Sequence, residues 1–387
     1  GEVCYPLGFH VIICGLWREL GKNPLVLLRL IPVFAAVIGV LSVIVVSYMV
    51  ARYGGSLKGA LVAALFYGFI ISSDDIHLYS MGCYPNVLSN LFVLCIMCSM
   101  LGYITTRRRI YLLLGGILCS ATILTHYLSL LMLVLCAPIV LVMTLGTSYF
   151  RRVLKYVCIA GASGVALSAR WILWVGPKIL PHLREIVGKP AYIHGIWSVK
   201  LFETCKFLYF LIVPGLFSLP GCILLALSII WIIRERNNVY ARVIGGWMLG
   251  LLALAIIDQE WHCIRWVSYL IMPVVLLGSY ALARLWSRKL TKIALLFIIP
   301  ISMLWGSVAG QVRFFTTYRL LPIYACQKKT YDAFMWICEN TPEDAMILTT
   351  FGSYDQYLYP TTGRTWFNPC SLIPASEPPL PKEVWRT

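Results

Sequence analysis

Acidic residues are scarce in this sequence, and so are charged residues of any kind. Only 16 of its 387 residues are aspartate or glutamate, and charged residues make up 12% of the chain. The mean hydropathy is +0.81, with 60% hydrophobic residues. Soluble domains carry about 25% charged residues, which keep their surfaces hydrated. This composition excludes an ordinary soluble domain and predicts a membrane protein.

The few charges that are present are mostly basic, which gives a formal net charge of +16. Such a surplus can indicate nucleic-acid binding, but here the basic residues are scattered among short loops. They form no basic stripe and accompany no platform of aromatic residues for base stacking. We therefore expect no nucleic-acid partner, and attribute the charge to topology and to contact with membrane lipid.

Ten apolar runs have about the length that a helix needs to cross a bilayer, which is roughly 20 residues. The pattern predicts an all-α polytopic membrane bundle with about ten spanning helices. The runs are residues 25–51, 57–73, 81–104, 110–126, 127–147, 153–175, 216–233, 240–257, 264–283 and 290–309.

The gaps between these runs alternate in charge. Lysine and arginine cluster in one set of gaps, for example at residues 107–109 and 151–155. All acidic residues except Glu235, together with all six histidines, fall in the other set or in the chain ends. Clustered basic residues in short loops mark the cytoplasmic side. We therefore expect a multi-pass plasma-membrane protein with its polar chemistry on the outer face.

The chain divides into two parts by composition. Residues 1–309 form the predicted transmembrane domain, of which 1–24 are an outer juxtamembrane segment containing a surface helix. Residues 310–387 read as an extracellular α/β segment that is too short to form a complete domain. Helical spacing at 329–339 and an apolar run at 345–350 predict a helix followed by a strand.

The first cluster of candidate site residues follows the second apolar run. Asp74, Asp75 and His77 come directly after it, and Tyr84 lies near the start of the next run. Two adjacent carboxylates and an imidazole at a membrane surface suit a general base or a divalent metal such as Mg²⁺ or Mn²⁺. The alternative is a solvated loop that merely caps the next helix.

The second cluster extends across the start of the ninth run and contains Glu260, His262 and Arg265, of which Arg265 stands at the entry of the run. Arg265 stands at the depth where a lipid phosphate lies, and arginine forms bidentate contacts with phosphate. The alternative is an arginine that extends toward water and pairs with Glu260.

Two further candidates stand alone in the sequence. His126 lies in the polar interruption Thr125–His126–Tyr127, which predicts a tight outer turn, although a lone histidine is more often structural. Glu2 precedes the predicted surface helix and is either functional or a solvated terminal residue.

Several short segments, taken in their order, resemble motifs of the GT-C superfamily of multi-pass glycosyltransferases, most closely its archaeal type. The segment LTH (124–126) departs from the family pattern, because the family has a proline directly after it and this chain has Tyr127. The family's first spanning helix and first-loop acidic residue are expected upstream of Gly1. The segments are YPLGFH (5–10), ARYGGS (51–56), GCYPN (82–86), LTH (124–126), RWVSY (265–269), AFMWICENTPEDAMIL (333–348) and TGR (362–364).

The resemblance implies transfer of a sugar from a polyprenyl-phosphate-linked donor to a glycan, protein or lipid acceptor outside the membrane. It implies that Arg265, His262 and His126 bind the donor phosphate. It implies that a carboxylate at Asp74, Asp75 or Glu2 is catalytic. The cavity is then lined by His77, Tyr84 and Glu260. A metal is possible at Asp74, Asp75 and His77.

A non-enzymatic membrane protein is the alternative, such as a flippase, a polymer-export component or a structural subunit. A transporter carries polar residues at mid-membrane on broken helices. Here the middle of each run is almost wholly apolar, which favours chemistry at the membrane surface.

The charge pattern predicts that the loops at Arg107 and Arg151 are cytoplasmic, whereas Asp74, Glu185 and the C-terminal segment are external. Single cysteines placed in these loops and labelled with an impermeant maleimide on intact cells should react only in the second group. Strong labelling at the Arg107 loop would overturn the charge assignment.

Overall fold

The computed structural model describes residues 8–20, 24–70, 84–175, 177, 219–257, 263–285, 328–342, 345–348 and 365–367. The chain divides into two compact units. The first comprises Gly1–Gly21 and Leu27–Gln311, and the second comprises Lys22–Val26 and Val312–Thr387.

The described part of the first unit is helical, as its composition predicts. A π-helix at Phe66–Ile70 continues α3. The helices are α1 Gly8–Glu19, α2 Pro24–Arg52, α3 Leu57–Leu65, α4 Tyr84–Thr106, α5 Ile110–Thr125, α6 Tyr127–Thr144, α7 Phe150–Leu167, α8 Leu219–Arg234, α9 Val239–Ile257 and α10 Cys263–Leu285.

Two of the described helices are long and apolar enough to cross a membrane, namely Val33–Arg52 and Pro85–Thr106. A third span results if Phe150–Leu167 and Ala169–Val175, which meet at 67°, are counted together. Six shorter apolar helices accompany them. The chain is thus a mostly helical membrane protein, while the number of ten spans stays a prediction.

One large apolar core holds this unit together. α5 packs against α4 and α7, α6 packs against α9, and α10 packs against α3, α8 and α9. Large aromatic side chains such as Trp247, Trp266 and Tyr280 are fully buried in it. Apolar side chains such as Val40 and Leu113 are exposed on the surface of the bundle, which suits contact with lipid.

Arginines near the start of two helices bond the ends of neighbouring helices. Arg152 Nη1 donates to the carbonyl of Ile104 at 2.7 Å, and Arg242 Nη1 donates to the carbonyl of Met143 at 2.7 Å. Ile104 and Met143 lie in the last turns of α4 and α6, where backbone carbonyls lack partners within their own helix. The basic residues that predict topology therefore also cap helix ends.

Small residues allow α5 and α7 to approach closely. Ser120 and Ser168 share a hydrogen bond of 2.8 Å across this interface. A Cβ atom added at Gly164 would lie 2.5 Å from the Cβ of Cys119. Such contacts between small residues are typical of helix pairs in membranes, where no hydrophobic effect drives them together.

The described part of the second unit combines one helix and two strands. These are α11 Lys328–Asn340, β1 Met346–Leu348 and β2 Thr365–Phe367. The two strands pair in parallel, with Ile347 opposite Trp366. The helix predicted at 329–339 is present, and so is the strand predicted within 345–350.

The α5–α7 contact makes the bundle sensitive to volume at Gly164. We expect Gly164→Ala to lower the apparent melting temperature in detergent, because overpacking costs about 1–3 kcal/mol. Gly161→Ala on the same helix is the control, since a Cβ there meets no atom within 4 Å. Equal melting temperatures for the two variants would contradict the close packing.

Candidate functional site

The helix that leads toward the first acidic cluster ends in an unusual conformation. Phe66–Ile70 is a π-helix that packs against α10. Single π-turns are rare and often occur at functional sites. Asp74 and Asp75 come four and five residues after it.

A fully buried tyrosine connects three helices where they begin. Tyr269 on α10 donates a hydrogen bond from its hydroxyl to Oδ1 of Asn86 on α4. The same hydroxyl lies 3.0 Å from Oγ of Ser129 on α6. Asn86 is the third residue of α4 and Ser129 is the third residue of α6. We call this region, where α4, α6 and α10 begin, the His126 end of the bundle.

The directions of these hydrogen bonds follow from the number of hydrogens available. The single phenolic hydrogen of Tyr269 goes to Asn86, so Ser129 donates to Tyr269. The single hydroxyl hydrogen of Ser129 is then used, and Ser129 accepts from Nδ1–H of His126, 3.4 Å away. The chain of donors runs from His126 through Ser129 and Tyr269 to Asn86.

His126 itself forms the break between α5 and α6. Its backbone is extended, with φ −157° and ψ 116°, while its N–H still bonds the carbonyl of Thr122 at 2.9 Å. The turn predicted in this stretch is thus confirmed, and it consists of one residue. Sequence analysis treats His126 as a turn residue, but its side chain is only 2% exposed.

One face of α4 at this end is polar. Asn86, Ser89 and Asn90 are spaced at i, i+3 and i+4, so they share a helix face, and all three are buried. Asn86 Nδ2, Ser89 Oγ and Asn90 Oδ1 have no hydrogen-bond partner among the residues that the structure describes. Burying such groups is costly without a partner. Sequence analysis missed this face, although its spacing was the available signal.

The first helix reaches the same end of the bundle. A Cβ added at Gly8 would lie 2.7 Å from the carbonyl oxygen of Leu124 and 3.1 Å from Oγ1 of Thr125. Only glycine permits this approach beside the His126 turn. Phe9, on the same helix, packs in one apolar cluster with Val87 of α4.

An apolar cavity of about 210 Å³ begins one turn away from His126. Ile123 and Leu130, three residues before and four residues after His126, both line it, and it extends to Val140 and Trp247. Val134 in its wall is 58% exposed, so the cavity reaches the surface of the bundle. Its apolar lining suits a hydrocarbon chain.

The other predicted site residues are described only in part or not at all. Arg265 is the third residue of α10 and Tyr84 is the first residue of α4. Position 265 stands four residues before Tyr269, hence on the same face of α10. The remaining candidates lie outside the described residues: Glu2, Asp74, Asp75, His77, Glu260 and His262.

Within the described ranges, no group of three or more histidine, cysteine, aspartate or glutamate residues could hold a metal ion. The predicted metal ligands belong to residues 71–83, which those ranges leave out. The possible metal at Asp74, Asp75 and His77 therefore stays a prediction.

Several solved structures resemble this chain, among them the following two. The oligosaccharyltransferase of Archaeoglobus fulgidus, in complex with zinc and sulfate, matches with a TM-score of 0.54 at 16% identity, over 87% of this chain and 50% of that one. The oligosaccharyltransferase AglB of the same organism, with an inhibitory peptide and a dolichol-phosphate, matches with a TM-score of 0.49 at 13% identity, over 87% and 53%. No protein-family profile matches the sequence, and the search of curated proteins finds no match.

The first of these similarities assigns the fold. The chain shares the fold of this archaeal oligosaccharyltransferase, in agreement with the archaeal GT-C fold that its motifs predict. It spans about half the length of the solved structures that it resembles.

The hydroxyl of Ser89, which has no partner among the described residues, leads to a stability prediction. Ser89→Ala should leave the melting temperature unchanged or raise it, because it removes a buried polar atom without a described partner. Ser99→Ala on the same helix is the matched variant, since Ser99 bonds Tyr156 and the carbonyl of Ile96. It should cost about 1 kcal/mol. A comparable loss for Ser89→Ala would reveal a partner beyond the described residues.

Proposed function

We propose that this chain is a membrane glycosyltransferase that moves a sugar from a polyprenyl-phosphate-linked donor to an acceptor on the outer face of the membrane. The observation that carries the proposal is the arrangement around His126. A buried polar network lies at the end of the bundle, and an apolar cavity starts one helical turn away.

The donor is an amphiphile, and this arrangement suits its two parts. Its isoprenoid tail enters the apolar cavity through the surface at Val134, while its phosphate and sugar stay at the His126 end. Met97 and Met100 line the cavity, and methionine adapts readily to irregular apolar shapes. A branched hydrocarbon tail therefore finds a lining that can adjust to it.

The donor phosphate binds Arg265, with His262 and His126 beside it. Arg265 stands one turn before Tyr269 on α10, and Tyr269 contacts Asn86 and Ser129. Negative charge grows on the phosphate as the sugar leaves, and a fixed guanidinium stabilises that charge in the transition state. A bidentate contact would also fix the orientation of the phosphate.

A carboxylate removes the proton of the acceptor hydroxyl as it attacks the sugar. Asp74, Asp75 and Glu2 are the candidates. Asp74 is four residues from Ile70, the end of the π-helix that packs on α10, so its Cα lies within about 14 Å of that point. Tyr84, His77 and Glu260 complete the lining of the acceptor cavity.

A divalent cation is part of the proposal, since the Archaeoglobus fulgidus structure contains zinc. Asp74, Asp75 and His77 would hold it here, and a bound cation would neutralise charge on the phosphate. The two carboxylates would suit Mg²⁺ or Mn²⁺, and the imidazole would suit Zn²⁺.

The acceptor is a glycan, a protein or a lipid. The name oligosaccharyltransferase of the similar structure supports an oligosaccharide as the group transferred. The proposed topology has ten spans in this chain, with residues 310–387 outside the cell as an α/β segment.

Binding of a polyprenyl phosphate tests the proposal without knowledge of the sugar, because every such donor contains this part. The purified protein in detergent should be stabilised against heat by a polyprenyl phosphate and much less by the corresponding polyprenol. Stabilisation grows as RT ln(1 + [L]/Kd), so about 2.7 kcal/mol is expected at a ligand concentration 100 times the Kd.

Substitutions at Arg265 refine this test. Arg265→Ala should abolish the preference for the phosphate, whereas Arg265→Lys should retain part of it, because lysine keeps the charge but loses the bidentate geometry. Arg284→Ala, near the other end of the same helix, is the control and should bind as the wild type does. Equal affinity for polyprenol and polyprenyl phosphate in the wild type would refute the proposed donor class.

A further inference from the structure

The polar network at the His126 end contains one residue, at the end of the RWVSY segment (265–269), to which the sequence assigns no role of its own. Tyr269 lies on α10 and touches both Asn86 and Ser129, and its side chain is fully buried. We infer that Tyr269 is a positioning residue for the donor phosphate, acting through Ser129 on His126. This inference rests on the proposed function.

The order of donors fixes the state of the His126 ring. Because Ser129 accepts from Nδ1–H, the neutral ring holds its hydrogen on Nδ1. Nε2 is then the nitrogen that takes up a proton when the ring becomes an imidazolium. An imidazolium can donate a charge-assisted hydrogen bond from Nε2–H to a phosphate oxygen while Nδ1–H stays on Ser129.

Tyr269 controls this arrangement from the far end of the chain of donors. If its hydroxyl is removed, Ser129 loses its acceptor and its hydrogen is free to turn toward His126. Ser129 would then donate to Nδ1, which favours the other tautomer of the ring. The ring would then meet an arriving phosphate as a neutral Nε2–H donor and not as an imidazolium, so the contact would lose its charge, although no residue that touches the phosphate has changed.

Asn86 gives the network its direction. Its Oδ1 accepts from Tyr269, and its Nδ2 has no partner among the described residues. The amide therefore holds Tyr269 as a donor, which in turn makes Ser129 a donor to Tyr269. Position 265 lies one turn from Tyr269 on α10, so the same helix face carries the network and the candidate phosphate ligand.

A double-mutant cycle on polyprenyl-phosphate affinity tests the inference. Tyr269→Phe should weaken binding by roughly tenfold, as expected for one misplaced charge-assisted contact. In the His126→Ala background the same change should cost less than about twofold, because residues acting through one another are not additive. Affinity for polyprenol should stay constant in all these variants.

Four further variants separate positioning from mere packing. Tyr240→Phe is the control, since Tyr240 is equally buried and donates to the carbonyl of Leu276 at 3.0 Å, and it should leave the preference for the phosphate unchanged. Ser129→Thr keeps the hydroxyl and should bind phosphate better than Ser129→Ala. His126→Asn keeps a donor toward Ser129 but lacks Nε2, so it should lose the phosphate preference while melting near the wild type.

The outcomes distinguish the inference about Tyr269 from the proposed function on which it rests. Equal losses from Tyr269→Phe in both His126 backgrounds, or parallel losses for polyprenol, would show a structural role and overturn the inference alone. A wild type without preference for polyprenyl phosphate over polyprenol would overturn the proposed function, and this inference with it.

Discussion

A polar side chain inside an apolar bundle has no water to bond, so its partner must come from another part of the protein. This constraint determines how the helices meet at the His126 end. The hydroxyl of Tyr269 is fully buried, and it is satisfied by Asn86 of α4 and Ser129 of α6. The beginnings of three helices are thereby joined at one hydroxyl group.

The same constraint acts differently at the other ends of α4 and α6. There the backbone carbonyls of Ile104 and Met143 would lack partners, and Arg152 and Arg242 supply them. Cationic side chains thus close one end of these helices, while neutral polar groups connect the other end. The bundle therefore has two chemically distinct ends. At the His126 end, buried polar atoms that lack a partner among the described residues lie on α4, and the apolar cavity begins about one helical turn from His126.

Local features of this fold could be predicted from the sequence, because they depend on residues that are close together in the chain. The break at His126 was predicted because a polar triplet interrupts an apolar stretch too long for one span, and α11 and β1 followed from periodicity and composition. The short motifs also predicted the GT-C fold, which the similarity to a solved structure confirms.

The hydrogen-bond network around Tyr269 could not be predicted in this way. Its contacts join residues 140 and 183 positions apart, and a single serine, asparagine or tyrosine within an apolar run gives no periodic signal. Which helix faces meet is decided by packing of the whole bundle. The roles of Asp74, Asp75 and Arg265 stay predictions for a related reason, since charge and motif indicate their chemistry but not their geometry.

The depth of the polar groups provides the last link between fold and function. Asn90 stands six residues beyond Tyr84, so the polar face of α4 reaches about 9 Å along the helix from its start. The cavity is lined from Ile123 and Leu130 onward by apolar residues and by methionine and cysteine sulfurs, apart from the side chains of Tyr156 and Trp247. A lipid-linked sugar requires the same sequence of environments, first polar for the head group and then apolar for the tail. A wholly apolar bundle would leave the head group unsolvated, and a wholly polar one would exclude the tail. The change from polar to apolar surroundings occurs at His126. The residue that directly follows α5 therefore also lies at the boundary between the two environments.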